Sequence, residues 1–371
     1  MTNVNKKQIS DLIKYNVCLK AYNTFGIDVS AARFIQPGSC ETLPEICRSF
    51  PKEKFLFLGG GSNILFTQDF PGTVIHFPAP IPEKIASVLD ASSFSETIKG
   101  QCFFLTDVPA NVPWDAFAAW AVSQSLWGTE CLGGIPGTAG AAPVQNIGAY
   151  GQEIWQIIDS VSGFDFQTGD FRVIPGRSCE WGYRNSIFKR SIYRTFFITS
   201  VRFRLRKESS RDIPKRALAC FGADCPNNPA PSQIRNAVLN ERSKKLPDPA
   251  VLPNAGSFFK NPVVSIEVAE AIQRTYPEMP LFDVTDKPTD VPAKDIPQSG
   301  KFAKIPAAFL IDKCGWKGRT LGRAGVHHLQ PLVLVNRGNA EGKEILTLAE
   351  AVKESVLRTF GIDLETEVVV V

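Results

Sequence analysis

Histidine is scarce in this chain: only His76, His327 and His328 occur. The nine cysteines, at 18, 40, 47, 102, 131, 179, 220, 225 and 314, include no Cys-x-x-Cys pair. Zinc-type ligand spacing is therefore lacking, and no metal site is expected. The cysteine number is odd and the positions are scattered. That suits buried free thiols in a reducing compartment better than a disulfide framework. No apolar run of about 18 residues occurs, so no membrane span is expected. Residues 1–20 hold no apolar stretch of signal-peptide length, which points to the cytoplasm. Charge of one sign is also lacking: 41 basic residues face 37 acidic ones, a net charge of +4. Such an excess does not predict nucleic-acid binding, though it suits an anionic small molecule.

What is present is an ordinary globular composition, 44% hydrophobic over 371 residues. That length suits two or three domains with a sizeable core. Ile9, Leu12, Ile13 and Val17 recur at helical spacing and predict a helix over 5–17. Asn23-Thr24-Phe25-Gly26 breaks that pattern. From Arg33 onward short strands and helices alternate, with strands at 55–58 and 73–77. The proline-rich residues 78–83 predict a subdomain boundary. Residues 114–127 read as an amphipathic helix. Within 196–206, Val201, Phe203 and Leu205 alternate with Arg202, Arg204 and Arg206. This predicts a half-buried strand with a solvated basic face rather than a binding patch. A second boundary is expected near 223–232, then a helix over 232–245 with Ser232 as N-cap. Residues 286–305 read as a long surface loop. A strand at 332–335, a helix over 344–359 and a strand at 366–371 follow. No internal repeat is found.

Two glycine-rich segments stand out. GGGSN at 59–63 follows a strand. Its glycines allow positive φ and close approach of a ligand to the amides, as in a nest of N–H groups around a pyrophosphate. A glycine-rich turn with no ligand explains it equally well. It is not a Rossmann fingerprint, because the G-x-G-x-x-G spacing is absent and no helix pattern follows directly. The second segment, 133–151, is dominated by small residues, which close packing of helices or strands would also use. Yet Gln145 and Asn146 sit inside it. Buried amides need partners, and a flavin ring edge offers donors and acceptors.

Together, GGGSN at 59–63 and IPGTAGAAPVQNIGAYG at 135–151 resemble the FAD-binding signatures of the UDP-N-acetylenolpyruvoylglucosamine reductase family, in the form that carries GSFFKNP. That family belongs to the vanillyl-alcohol-oxidase-like flavoproteins. NTFGI at 23–27 matches its opening, so the resemblance covers nearly the whole chain. It implies an α+β fold: an FAD-binding part in two α+β subdomains, 1–82 and 83–228, and a C-terminal α/β substrate-binding domain, 229–367. Residues 368–371 are expected as a strand able to return to the first subdomain. The resemblance implies non-covalent FAD, with NADPH as reductant. The residues it assigns to FAD are Asn23, Thr24, Phe25, Gly59, Gly60, Gly61, Ser62, Asn63, Ile135, Pro136, Gly137, Thr138, Gly140, Ala141, Gln145, Asn146, Gly148, Ala149, Tyr150 and Gly151.

Three further motifs fit the family. In GYRNSIFK at 182–189, Arg184 taken alone reads as a surface ion-pair partner. The resemblance makes it the active-site arginine, whose fixed fork of donors suits a carboxylate or a developing enolate. In NAGSFFKNP at 254–262, a serine after glycine is commonly a turn residue. No supporting His/Asp set is legible, so Ser257 is not expected to be a nucleophile. The family's equivalent serine is a general acid that protonates carbon. In LETEV at 364–368, Glu365 and Glu367 point to one face of a strand. A charged terminal strand edge is the ordinary alternative. The family's glutamate, which supports the proton donor, matches Glu367.

The resemblance also implies substrate contacts at Tyr183, Lys245, Asn261 and Gln330, each of which singly reads as an ordinary surface residue. One departure stands out. The family form with GSFFKNP carries a tyrosine on a loop over the substrate, and Phe221, which has no hydroxyl, falls nearest that position. The implied reaction is reduction of an enolpyruvyl sugar nucleotide to its lactyl ether, in peptidoglycan precursor synthesis, by a cytoplasmic monomer. Two alternatives stay open: another FAD-dependent oxidoreductase of the same fold, and a non-catalytic flavin-binding module.

Overall fold

The computed structural model describes residues 10–51, 53–98, 101–208, 213–284 and 301–371. The chain forms two compact units, each assembled from separated segments. The first holds the described residues up to Val17, Ser30–Gly60 and Phe70–Lys244; the second holds Cys18–Val29, Gly61–Asp69 and Lys245–Val371.

Among the described residues the first unit contains two larger sheets and the two-stranded ladder of Gly148–Ala149 with Gln152–Glu153. One runs in the spatial order Ile13–Cys18, Ser30–Ile35, Phe70–Ile75, Phe55–Phe57. Its last three strands are parallel. The helix Leu43–Ser49, which buries Leu43 and Ile46, carries the chain from Ser30–Ile35 past the central strand Phe70–Ile75 to Phe55–Phe57, so that both pair with it in parallel. The other sheet is antiparallel: Asp170–Pro175, Ile158–Asp165, Phe196–Arg206, Gln101–Pro109, Ser93–Ile98. Val201, Phe203 and Leu205 are fully buried, as their alternation predicts. On the other face Arg202 is bonded to Asp107 through Nε (3.0 Å) and Nη2 (2.7 Å). The helices Pro82–Ala91 and Trp114–Ser123 share the core of this sheet through Leu89, Trp114 and Phe117.

The second unit has an antiparallel sheet in the order Asn254–Ser257, Val333–Asn336, Ala324–Val326, Thr320–Leu321. A smaller one pairs Phe302–Lys304 with Val263–Ser265 and Phe282–Asp283. Val369–Val370 pairs in parallel with Ile64–Leu65. The helix Gly342–Phe360 buries Ile345, Leu348, Ala349, Val352 and Val356, one stripe at helical spacing. Its start is fixed by a reciprocal capping box between Glu341 and Glu344.

The expected α+β class is what the strands and helices form. Several local expectations change. Residues 5–9 of the expected helix over 5–17 lie outside the described residues, and Ile13–Cys18 is a strand. Ile13 and Val17 are four apart, a spacing that suits a strand face as well as a helix face, and pairing in the sheet decides. Ser232 is not an N-cap, because the helix begins at Pro231. The Ala230 N–H donates instead to Gln233 Oε1 (2.8 Å). The helix Trp114–Ser123 is less amphipathic than expected, burying Trp114, Phe117, Ala118, Trp120, Ala121 and Val122. Most of the expected loop 286–305 lies outside the described residues, but Phe302–Lys304 is a paired strand. The last segment of the first unit ends at Lys244. The helix Pro231–Lys245 is tied into the first unit by the Arg235–Asp115 ion pair and by Arg242 Nη2 donating to Gly134 O (3.0 Å).

Candidate active site

In the first unit the two glycine-rich stretches meet at main-chain distance. A Cβ on Gly59 would stand 2.9 Å from Thr138 Oγ1, and one on Gly60 would stand 3.1 Å from Gly137 Cα. The 137–140 stretch is anchored from behind. The Trp114 N–H donates to Gly137 O (3.0 Å), the Ala139 N–H to Val112 O (2.9 Å) and the Gly140 N–H to Ala110 O (3.0 Å). Gly60, Pro136 and Ala141 are exposed, and Ile135, Gly137 and Thr138 are half-buried. This is an accessible surface of bare main chain and small side chains, the kind a dinucleotide's pyrophosphate can approach closely. These residues fit FAD. Just ahead, Asp115 Oδ1 accepts from the Gly134 N–H (2.6 Å) and from Arg235 Nη1 (2.8 Å), while Oδ2 accepts from Arg235 Nη2 (3.0 Å). Partial burial pushes the Asp115 carboxyl up, but the Arg235 and Gly134 donors outweigh it and hold the pKa below the ordinary value.

Arg184 sits on a tight turn. Gly182 and Asn185 exchange both main-chain hydrogen bonds, at 3.0 Å each. Arg184 has φ +54°, a left-handed conformation that non-glycine residues adopt at a cost and that clusters at functional sites. Its Nη2 donates to Gly148 O (2.6 Å), and its guanidinium lies 5.3 Å from the Tyr183 ring centroid. A Cβ on Gly148 would stand 2.9 Å from Arg184 Nη1, so glycine makes room for the guanidinium. Gly148–Ala149 pairs antiparallel with Gln152–Glu153. Tyr150 and Gly151 between them have φ +51° and +90°, the two positive values a type I′ hairpin needs. Tyr150 packs against the cluster of Trp127, Cys131, Ala217, Ile234 and Val238. Burial pushes its phenol up to about 12, so the hydroxyl stays protonated. Phe221, also half-buried, packs on the same cluster. Gln145 is half-buried.

In the second unit, Ser257 ends the strand Asn254–Ser257 and pairs with Val333. Gly256 before it has φ +69°, and its N–H donates to Asn254 Oδ1 (2.8 Å). The main chain of the LETEV motif runs alongside. The Glu367 N–H donates to Phe258 O (2.8 Å), and the Lys260 N–H to Glu365 O (2.9 Å). Glu367 is thus bonded through its main chain to the residue after Ser257. Glu365 is exposed and forms an ion pair with Lys260. Asn63 joins this group, its Nδ2 donating to Glu367 O (3.3 Å). Thr24 donates to Gly61 O through both its N–H (3.0 Å) and Oγ1 (3.3 Å). Ser62 is half-buried.

Other expected site residues have structural work inside their own unit. Asn23 Nδ2 donates to Leu19 O (2.8 Å) and Ile27 O (3.0 Å), and its Oδ1 accepts from the Ile27 N–H (2.9 Å). Phe25 is fully buried, edge-on to Phe258. Asn146 is fully buried, with its amide donating to Glu153 Oε2 (3.1 Å) and Gly182 O (2.9 Å). A side chain with no accessible surface cannot touch a ligand without rearranging. Asn261 Oδ1 accepts from the Ala307 N–H (2.9 Å) at the start of the helix Ala307–Lys313. The Gln330 N–H donates to His327 Nδ1 (3.2 Å). Burial, then the neighbouring charges of His328 and Arg337, lowers the His327 pKa. Lys245 is exposed at the end of its helix. All nine cysteines are free. No described helix is long and apolar enough to cross a membrane.

Sequence reasoning missed Glu153, Trp155, Asp115, Arg235 and Arg242. Glu153 carries a faint signal, standing two residues beyond the second glycine-rich motif. The Asp115–Arg235 pair spans 120 positions and carries none.

Residues 31–174 match the family described as FAD binding domain. The first unit therefore carries the hallmark of a flavoprotein. Residues 248–371 match the family described as UDP-N-acetylenolpyruvoylglucosamine reductase, C-terminal domain. A UDP-N-acetylenolpyruvoylglucosamine reductase of Bacteroides fragilis strain YCH46 is 40% identical over 352 residues, covering 94% of this chain and 97% of the relative. One of Flavobacterium johnsoniae is 38% identical, covering 97% of this chain and 99% of its own. The crystal structure of the reductase from Thermus caldophilus shares the fold, with TM-score 0.61 and 23% identity over 95% of this chain and 97% of that one. This chain belongs to the UDP-N-acetylenolpyruvoylglucosamine reductase family.

Proposed function

We infer that this protein catalyses the FAD- and NADPH-dependent reduction of UDP-N-acetyl-3-O-(1-carboxyvinyl)glucosamine to UDP-N-acetylmuramate, a step of peptidoglycan precursor synthesis. One observation carries this reading: an FAD binding domain at 31–174 and the reductase's C-terminal domain at 248–371 occur on one chain. An oxidase on the same flavin scaffold would need a different C-terminal domain. We further propose that it acts as a monomer in the cytoplasm; the nine free thiols support the compartment.

The main-chain surface of Gly59, Gly60, Gly137 and Thr138 would hold the flavin nucleotide, and the main chains of Thr24, Gly61, Ser62 and Asn63 are proposed to contribute. Bound FAD supplies hydride chemistry that no side chain here can perform. The residues of the chain do the rest. The Arg184 guanidinium, turned by its left-handed backbone, is assigned to the substrate carboxylate and the negative charge that develops beside it. Ser257 Oγ gives its proton to the carbon bearing that carboxylate. Serine is a poor acid in water, so this step relies on a strongly basic carbon and a fixed position. Glu367 supports that donor. Tyr183, Lys245, Asn261 and Gln330 are proposed to bind the sugar nucleotide.

The test is NADPH oxidation by the purified yellow protein, with and without the enolpyruvyl sugar nucleotide. Oxidation should depend on the substrate, and indifference to it overturns the reading. Ser257→Ala should keep its flavin and its reduction by NADPH, yet lose turnover by a factor on the order of 10² to 10⁴, the usual range for a general acid. Wild-type turnover in that variant would remove Ser257 from its role.

A further inference from the structure

Glu153 lies outside every motif considered above, yet it is the acceptor at the centre of a small network next to Arg184. Its Oε2 accepts from Asn146 Nδ2 (3.1 Å) and from Trp155 Nε1 (3.1 Å). Its side chain also accepts from the main-chain N–H of Gln156, as half of a capping box. Asn146, fully buried, uses the other side of its amide. Nδ2 donates also to Gly182 O (2.9 Å), and Oδ1 accepts from the Trp155 N–H (3.3 Å). Gly182 is the residue that closes the turn carrying Arg184. On its second side Glu153 pairs across the hairpin with Gly148, whose carbonyl accepts from Arg184 Nη2 (2.6 Å). Two paths therefore run from Glu153 to Arg184. One passes through Asn146 to the backbone of the turn, the other through Gly148 to the guanidinium.

The left-handed φ of Arg184 is unfavourable alone and persists only where neighbours over-determine it. A carboxylate is a stronger acceptor than a neutral amide. The burial of Asn146 makes an unpaired amide there costly. We propose that Glu153, acting through Asn146 and Gly148, is a positioning residue for Arg184, and that Asn146 serves this network rather than the flavin edge. The proposal rests on the catalytic role assigned to Arg184 above.

The experiment compares FAD-loaded wild type, Glu153→Ala, Glu153→Gln and Arg184→Ala. It measures flavin affinity, melting temperature, flavin reduction by NADPH, and kcat and KM for the enolpyruvyl substrate. Misplacing a catalytic group by about 1 Å can cost on the order of 10²-fold. Glu153→Ala should therefore lower kcat for substrate reduction roughly 10- to 100-fold. Flavin affinity and the NADPH half-reaction should change less than about threefold, which is under 1 kcal/mol at RT ln 3. Glu153→Gln keeps one acceptor oxygen and should recover most of that kcat. Unchanged kcat in Glu153→Ala overturns the proposal. So does loss of flavin or of the NADPH half-reaction in proportion to kcat, because the network would then serve the cofactor segment. If Glu153→Ala does not fold, Glu153→Asp, whose shorter side chain withdraws the carboxylate from Asn146, decides: a fall in substrate kcat alone supports the proposal, and an unchanged kcat or a parallel fall in both half-reactions overturns it. Wild-type turnover in Arg184→Ala would instead sink the role of Arg184 itself.

Discussion

Arg235→Met breaks the ion pair that grips the start of the second glycine-rich segment. Arg235 is 10% exposed at its side chain and Asp115 45%. Removing one partner of a fully buried pair costs about 3–5 kcal/mol. Here Asp115 can take up water and keeps the Gly134 N–H, so the cost should fall to about 2 kcal/mol. For a body of this size, that corresponds to roughly 4–8 °C in Tm by calorimetry. The pH dependence separates charge from packing. The folded pKa of Asp115 lies below the ordinary value, so its contribution is fully present above the unfolded pKa of about 3.9 and is lost as pH falls through the folded value. The Tm gap between wild type and Arg235→Met should thus be constant from neutral pH down to about 5 and narrow progressively as the pH falls below about 4 toward the folded value. Asp115→Asn combined with Arg235→Met should cost less than the sum of the two singles. A gap of the same size at pH 3.5 and pH 7 would refute the argument and assign the loss to packing of the arginine stem.

Gly60→Ala places a Cβ 3.1 Å from Gly137 Cα, so one of two main chains must yield. FAD affinity should fall on the order of tenfold, about 1.4 kcal/mol, and titration of apoprotein with FAD measures it. His327, held neutral by burial and accepting from the Gln330 N–H, has a folded pKa below its ordinary value. Its stabilising contribution is present above the unfolded pKa of about 6.5 and is lost as pH falls through the folded one. His327→Asn should flatten the fall in denaturant midpoint just below pH 6.5, and an unchanged slope would exclude His327 as its source.

Much of the candidate site was legible because short motifs encode short-range geometry. Arg184 sits in a turn whose φ the GYRN string does not announce, yet its neighbours Gly182 and Asn185 close that turn within four residues. Ser257 and Glu367 are 110 residues apart in sequence, and only the pairing of Phe258 with Glu367 brings their segments side by side. The strand at 196–206 was readable because its period of two has no helical alternative. The segment around Ile13 and Val17 was not, because a spacing of four satisfies both periods.

By itself, the sequence determined where the chain must be glycine and which residues alternate. It also determined which motifs place the chain among the flavin-dependent reductases of wall precursor synthesis. Those features depend on a missing Cβ, on side-chain direction along a strand, or on residues close in sequence. Only the tertiary structure decided that Asn146 turns inward to Glu153 and Gly182, that Phe25 is buried against Phe258, and that Asp115 waits for Arg235. A buried polar or aromatic group takes its partners from whatever the fold brings near. That neighbourhood is set by the packing of distant segments, not by spacing along the chain.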